Sequence, residues 1–470
     1  MLELRLHPDR LFPADHATRV LARELYGSVA DLPIISPHGH CDPAWFAEDK
    51  AFSNPADLLI TPDHYVFRML HSAGVPLEDL GIRPLDGGAC EADPRVIWRR
   101  FAERYGLFRG TPSRLWLDWV FAKVFDLERR LTADTADLYF DTIDAALATD
   151  AFRPRALFER FNIEVLATTE NPLDPLDHHA AIRGSGWGGR VITAFRPDNV
   201  LDPEQPNFRA DLSALARITG EDALGYKGYL RALENRRAVF RESGATSTDH
   251  GHPTAATFDV NPHEAESLFA RVAHGDVTPA DAELFRGHML MQMARMSLDD
   301  GMVMQIHPGV TRNHDAAVLR RFGRDMGADI PASTEYVNAL KPLLNRYGSD
   351  PRLTLIVFTL DETAYSRELA PLAGYYPALK LGPPWWFHDS PEGMRRFREQ
   401  ATETAGFYNT VGFNDDTRAF LSIPARHDVA RRMDSAFLAR LVMDHRLERD
   451  EAHELARGLA YDFAKAAYRL

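Results

Sequence analysis

Leu32-Pro33-Ile34-Ile35-Ser36-Pro37-His38-Gly39-His40 is the stretch on which the reading of the fold turns. A short apolar run without polar alternation is the pattern of a strand buried on both faces, as parallel sheets require. It closes on two histidines at i and i+2, positions that share one face of an extended chain. Seven further runs of the same kind follow, at 164–169, 190–195, 245–249, 302–306, 353–359, 378–381 and 409–413. Amphipathic helical stretches lie between them. Residues 262–275 form one, and 279–300 form another, opened by Thr278 as N-cap and Pro279 in the first turn. Ser390-Pro391-Glu392 repeats that start signal, and 449–469 is helical in pattern.

Strands alternating with helices predict β/α units and a parallel sheet. Eight such runs predict an α/β fold of the (β/α)₈ TIM-barrel type, with 1–470 as one domain. The longest excursion, 44–150, is rich in Trp, Phe, Leu and Arg and predicts a mainly helical insertion after the first strand. A doubly wound open sheet is the structural alternative. No glycine-rich phosphate loop follows the first strand, which argues against its nucleotide-binding form.

Composition narrows the function. The 470 residues carry 54 Lys+Arg against 68 Asp+Glu, a net charge of −14, with no long basic run. That excludes a nucleic-acid binder. Two cysteines, Cys41 and Cys90, exclude a disulfide framework and a cysteine-rich zinc module. The N-terminal residues lack a basic segment followed by an apolar one, and no run approaches the roughly 20 apolar residues of a membrane helix. A cytoplasmic protein with no membrane partner is expected.

Histidine is enriched at 19 residues. With that number, chance alone supplies roughly 0.8 H-x-H pairs, so the motif is cheap and its position decides its weight. His38 and His40 follow a buried strand, at the barrel end where active sites form, and are candidate ligands of a divalent metal. His250-Gly251-His252 is a second instance, and His250 is a possible additional ligand. Polar residues recur at the same end of other runs: Arg196, His250, His307 with Arg312, and Asp416 with Arg418. In a closed barrel the last strand neighbours the first, so Asp416 is the expected third metal ligand or general base. Arg196 and Arg418 suit an anionic substrate, because guanidinium binds carboxylate bidentately. His307, Arg312, Trp385 and Trp386 are further candidates for binding it. Thr61-Pro62-Asp63-His64-Tyr65 reads on spacing alone as a helix start, with Thr61 as N-cap.

Taken in order, these blocks resemble the uronate isomerase (glucuronate isomerase) family of the amidohydrolase superfamily. The blocks are His38-Gly-His40, Asp63-His-Tyr65, Thr168-Thr-Glu-Asn-Pro-Leu-Asp174, Phe195-Arg-Pro-Asp198, Thr248-Asp-His250, Gln305-Ile-His307 with Arg312-Asn313, Trp385-Trp-Phe387 with Asp389, and Asp416-Thr-Arg418 followed by Phe420-Leu-Ser422 and Arg426-His427. The resemblance implies a distorted barrel that interconverts D-glucuronate with D-fructuronate and D-galacturonate with D-tagaturonate. It implies a divalent metal, usually zinc, on His38, His40 and Asp416, no organic cofactor, and a homo-oligomer. It gives Asp416 the proton transfer between C2 and C1, and places His64 and Tyr65 at the sugar oxygens and Arg196 and Arg418 at the carboxylate or reacting hydroxyls. The competing expectations are a metal-dependent hydrolase of the same superfamily, in which the metal generates hydroxide, and a non-catalytic barrel.

Overall fold

The computed structural model describes residues 2–470. In chain order the strands are β1 (Ile34–Ser36), β2 (Ile163–Glu170), β3 (Arg190–Phe195), β4 (Ser247–His250), β5 (Val303–Ile306), β6 (Val310–Thr311), β7 (Ile330–Pro331), β8 (Leu355–Val357) and β9 (Leu379–Leu381). Seven of them form one parallel sheet in the order β1-β2-β3-β4-β5-β8-β9. β6 and β7 form a separate antiparallel pair. Every residue of β1, β4, β5 and β8 is buried, as a sheet covered on both faces demands.

Seven of the eight expected runs are sheet strands. The eighth, 409–413, contributes only an isolated parallel bridge from Thr410 to Leu381. Gly412 follows at φ 77°, and its backbone passes so close to the C-terminal helices that a Cβ would lie 2.8 Å from the Leu459 carbonyl. The turn ends the strand before it can pair further. Beyond it the chain meets β1 again, where the His40 N–H donates to the Thr417 carbonyl at 3.0 Å. The sheet therefore curls until its two ends approach one another.

Between β1 and β2 every named element is a helix. Four of these helices start with a proline behind a capping side chain: Asp42 before Pro43, Asn54 before Pro55, Asp93 before Pro94 and Thr111 before Pro112. Phe46, Leu70, Trp98, Phe101, Phe121 and Tyr139 belong to the apolar core beneath them. The helix His64–Ser72 is capped by Asp63, whose carboxylate accepts the Tyr65 N–H, and not by the expected Thr61. The Thr61 hydroxyl donates instead to the Leu80 carbonyl at 3.0 Å.

The loop joining β6 to β7 is tied to this helical segment. Arg321 pairs with Glu78 at 2.8 Å, and the Leu85 N–H donates to the Arg321 carbonyl. At the opposite end of the sheet Tyr468 reaches inward. Its hydroxyl donates to Gln305 on β5 at 2.8 Å and accepts from Asn414. Among the described residues no helix is long and apolar enough to cross a membrane.

Candidate active site

At the carboxyl end of the strands lies a cavity of about 320 Å³. His38, His40, His64, Tyr65, Arg196, His307, Arg312, Trp385, Trp386, Asp416 and Arg418 all line it. Seven elements or loops, spread over the whole chain, thus converge on one space. That convergence is what a barrel end requires.

The histidine pair and Asp416 form its floor. Asp416 Oδ1 stands 3.1 Å from His40 Nε2 and 3.6 Å from His38 Nε2. Asp416 takes φ 38°, an uncommon conformation that a short polar side chain tolerates, and which aims the carboxylate at the imidazoles. Burial alone would raise its pKa, but His38 and His40 outweigh it and hold the carboxyl far below the usual range.

His307 completes the group. Its ring stacks on His38 with centroids 4.8 Å apart, and His38, His307 and Asp416 offer ligand atoms all within 4.8 Å of one another. His307 Nδ1 meets Asp249 Oδ1 at 2.6 Å. If the proton sits on that nitrogen, Nε2 carries a free lone pair. His307 Nε2 is buried without a hydrogen-bond partner. Buried polar atoms are rarely left so, and a cation is one way to satisfy them. The donor set of imidazoles and one carboxylate suits a divalent transition metal, and the fixing of His307 by a carboxylate is the usual support for a ligating imidazole.

Asp249 is a functional candidate that the strand-end reading passed over. It is fully buried, accepts from His307, and pairs through Oδ2 with Arg196 Nη1 at 3.1 Å. Arg196 and His307 outweigh burial and hold its carboxyl well below the ordinary range. The signal was present in the alternation of β4. Asp249 faces the cavity, so its neighbour His250 cannot. His250 lies instead with Asp198 and His252, its Nε2 3.2 Å from the Thr248 hydroxyl.

The remaining lining residues divide by charge. Four arginines (196, 312, 324 and 418) face four aspartates (198, 249, 325 and 416). Arg196 is paired with Asp198 at 2.9 Å as well as Asp249, and Arg418 with Asp325 at 3.4 Å. Arg312 approaches only Asp329, at 3.4 Å, and Arg324 donates to the neutral Gln205. These two carry the least compensated positive charge in the cavity. Arg324 had no motif to mark it, because it arrives on the β6–β7 loop.

His64 stands against Trp386, ring centroids 5.0 Å apart, and burial together with Arg418 pushes its imidazole down to about 3. It is neutral at pH 7. The Tyr65 hydroxyl is committed elsewhere: it donates towards Asp389 at 3.1 Å and accepts the Phe387 N–H at 3.2 Å. Arg426 donates to the same carboxylate at 2.7 Å and lies 3.6 Å above the Trp116 ring. Trp385 packs edge-on against His307 with centroids 4.9 Å apart, and Trp386 lies beneath the Arg312 guanidinium.

The sequence profile described as glucuronate isomerase matches residues 15–468. The chain belongs to the glucuronate isomerase family. A uronate isomerase of Rhizorhabdus wittichii is 68% identical over 467 residues, covering 99% of each chain. The crystal structure of glucuronate isomerase from Caulobacter crescentus is 64% identical and superposes with a TM-score of 0.98, covering 99% of this chain and 97% of that one. The uronate isomerase of Thermotoga maritima is only 25% identical, yet superposes with a TM-score of 0.92 over 99% of both chains. Glucuronate isomerase family membership therefore rests on sequence and fold together, over nearly the full length.

Proposed function

We propose that this chain is an aldose–ketose isomerase converting D-glucuronate to D-fructuronate and D-galacturonate to D-tagaturonate through a cis-enediol. The observation that carries the reading is the single cavity that joins a buried carboxylate–imidazole floor to an arginine-lined end. We assign its parts as follows. A hexuronate has a carboxylate at C6 and an aldehyde at C1 once the ring is open. The C6 carboxylate goes to Arg312 and Arg324, whose charge is least compensated. This leaves C1 and C2 at the opposite, histidine-lined end.

There Asp416 removes the proton from C2 as the C2–H electron pair forms the C1=C2 bond of the enediol. The same carboxylate returns the proton to C1, while the C2 hydroxyl gives up its proton and becomes the ketone. His64, neutral and close to Trp386, passes the hydroxyl proton between O2 and O1. Arg196 and Arg418 stabilise the negative charge that develops on the enediolate oxygens. Tyr65 acts by shaping the wall, with Asp389 and Arg426 holding its ring in place.

His38, His40 and Asp416, with His307 beside them, would hold a divalent cation, which we assign as zinc. When bound it supplies Lewis-acid polarisation of the substrate oxygens. The charge count supports it. Four arginines and four aspartates cancel, so a cation gives the cavity the positive excess that an anionic sugar needs. We further assign residues 1–470 to one distorted (β/α)₈ domain, with 44–150 as a helical subdomain over its mouth, and infer a cytoplasmic homo-oligomer.

The test is incubation of the purified, metal-loaded chain with D-glucuronate and D-galacturonate, following ketose formation and incorporation of solvent deuterium. Ketose formation abolished by Asp416→Asn is expected. Absence of ketose from either sugar, with hydrolysis of an ester or amide instead, overturns the assignment.

A further inference from the structure

The second His-Gly-His has no part in the reaction derived above, and its surroundings are unusual. His252 is buried, and neither of its ring nitrogens has a hydrogen-bond partner. His250 is buried too, and its Nδ1 is likewise without one. Three unsatisfied imidazole nitrogens thus lie together in the interior, next to a carboxylate: Asp198 Oδ1 is 3.9 Å from His252 Nε2. Asp198, His250 and His252 offer ligand atoms all within 4.8 Å of one another. Leaving such groups unpaired costs free energy, so the site calls for an occupant.

We propose that Asp198, His250 and His252 form a second binding site for a divalent first-row transition cation, distinct from the one at His38 and Asp416. Three features favour a cation of this class. Two neutral imidazoles and a carboxylate suit zinc, cobalt, nickel or iron better than magnesium or calcium, which need oxygen ligands. His250 and His252 are both buried with ring nitrogens that have no hydrogen-bond partner, and a neutral imidazole has a lone pair to offer a cation. Ligand atoms around a tetrahedral zinc stand about 3.3 Å apart, since each bond is about 2.0–2.1 Å. The 3.9 Å separation of Asp198 and His252 exceeds that by about 0.6 Å, and no pair in the group stands further apart than 4.8 Å.

The backbone is built around the carboxylate. The Gly251 N–H points at Asp198, 3.1 Å from Oδ1 and 3.0 Å from Oδ2. A Cβ at Gly251 would lie 2.9 Å from Asp198 Oδ2 and would collide with the Arg196 guanidinium, so only glycine permits this approach. Asp198 Oδ2 accepts from Arg196 Nε at 2.9 Å, and Oδ1, which shares the Gly251 N–H, has a second lone pair for the cation. The carboxylate then bridges the cation and Arg196. Because Arg196 lines the catalytic cavity, the cation acts on the reaction as a positioning element, by fixing the guanidinium through Asp198.

The test counts metal. The full-length chain is stripped with a chelator, titrated with Co²⁺ under visible absorption, and its bound metal measured after dialysis. Two equivalents per chain are expected in the wild type. One equivalent is expected in His252→Gln and in Asp198→Asn, with unchanged circular dichroism. His38→Asn is also expected to keep one, now the second-site ion, and this separates the two sites. A wild type that binds a single equivalent, lost in His38→Asn and retained in His252→Gln, means that an ordered water fills the second site and overturns the proposal. A single equivalent lost in His252→Gln and kept in His38→Asn would support it while refuting the metal assignment at Asp416. Should the variants fail to fold, the number of equivalents in the wild-type titration decides between one site and two.

Discussion

Asp249→Asn tests the cavity's electrostatics with one atom exchanged. The carboxylate is fully buried and has two partners, His307 Nδ1 at 2.6 Å and Arg196 Nη1 at 3.1 Å. Opposite unit charges 3.1 Å apart attract by about 5 kcal/mol at an effective dielectric of about 20. Arg196 keeps Asp198 at 2.9 Å in the variant, so part of that attraction survives. An asparagine can accept from only one of the two partners, and its amide then turns a donor towards the other donor. The net cost expected for the fold is about 3 kcal/mol, at the lower end of the range for breaking a buried pair. The cost to catalysis is separate. His307 loses the acceptor that fixes its ring beside His38, and losing such a support typically lowers activity by about 10–100-fold. Urea unfolding gives the first quantity, and steady-state ketose formation with a measurement of bound metal gives the second. We expect the fall in kcat, because Arg312 and Arg324, the residues proposed to hold the substrate carboxylate, are untouched. An Asp249→Asn protein that unfolds within about 0.5 kcal/mol of the wild type and keeps its kcat refutes the coupling of Arg196, Asp249 and His307.

Other perturbations separate the remaining roles. Arg324→Ala removes an exposed donor, so KM for hexuronates is expected to rise about tenfold, as for one lost charge-assisted hydrogen bond in contact with solvent, with little change in kcat; an unchanged KM would move the C6 carboxylate elsewhere. Tyr65→Phe is expected to lower kcat by less than about tenfold, since the hydroxyl already serves Asp389; a fall of about 10²–10⁴, the usual contribution of a general acid, would make the phenol the proton donor. Glu170, with Thr193 donating to it, is pushed by burial from 4.5 up to about 7. Folded Glu170 is therefore protonated where the unfolded chain is ionised, so its contribution to stability is full below about pH 4.5 and falls by about 3 kcal/mol as pH rises to about 7. Glu170→Gln should flatten the melting temperature between pH 5 and 8; an identical slope in the variant places the titration on another group.

What the sequence makes legible follows the scale of the signal. The parallel strands announce themselves because burial on both faces favours apolar residues along whole runs, as in 355–357. The last strand is weaker for a local reason: Gly412 turns the chain under the C-terminal helices, a constraint set by a backbone contact with Leu459 that no propensity contains. At the site, His38, His40, His307 and Asp416 could be found because each closes or follows an apolar run. Asp249 and His250 differ by one position at the same strand end, and only the pleat decides which of them enters the cavity. Reading β4 by its period of two selects Asp249, whereas reading it by its last residue selects His250. Arg324 carries no such signal. It reaches the cavity on the loop between β6 and β7, which is anchored through Arg321 to Glu78, a residue 243 positions away in the chain. The placement of that charge depends on two excursions from the sheet meeting each other, so it is encoded in tertiary packing more than in any motif. The same reasoning gives the second His-Gly-His its interest. Alternation turns His250 out of the catalytic cavity, but it does not turn it into solvent. It delivers His250 with His252 to the partly buried Asp198 carboxylate, where unpaired imidazole nitrogens have a free-energy cost that the proposed cation would lower.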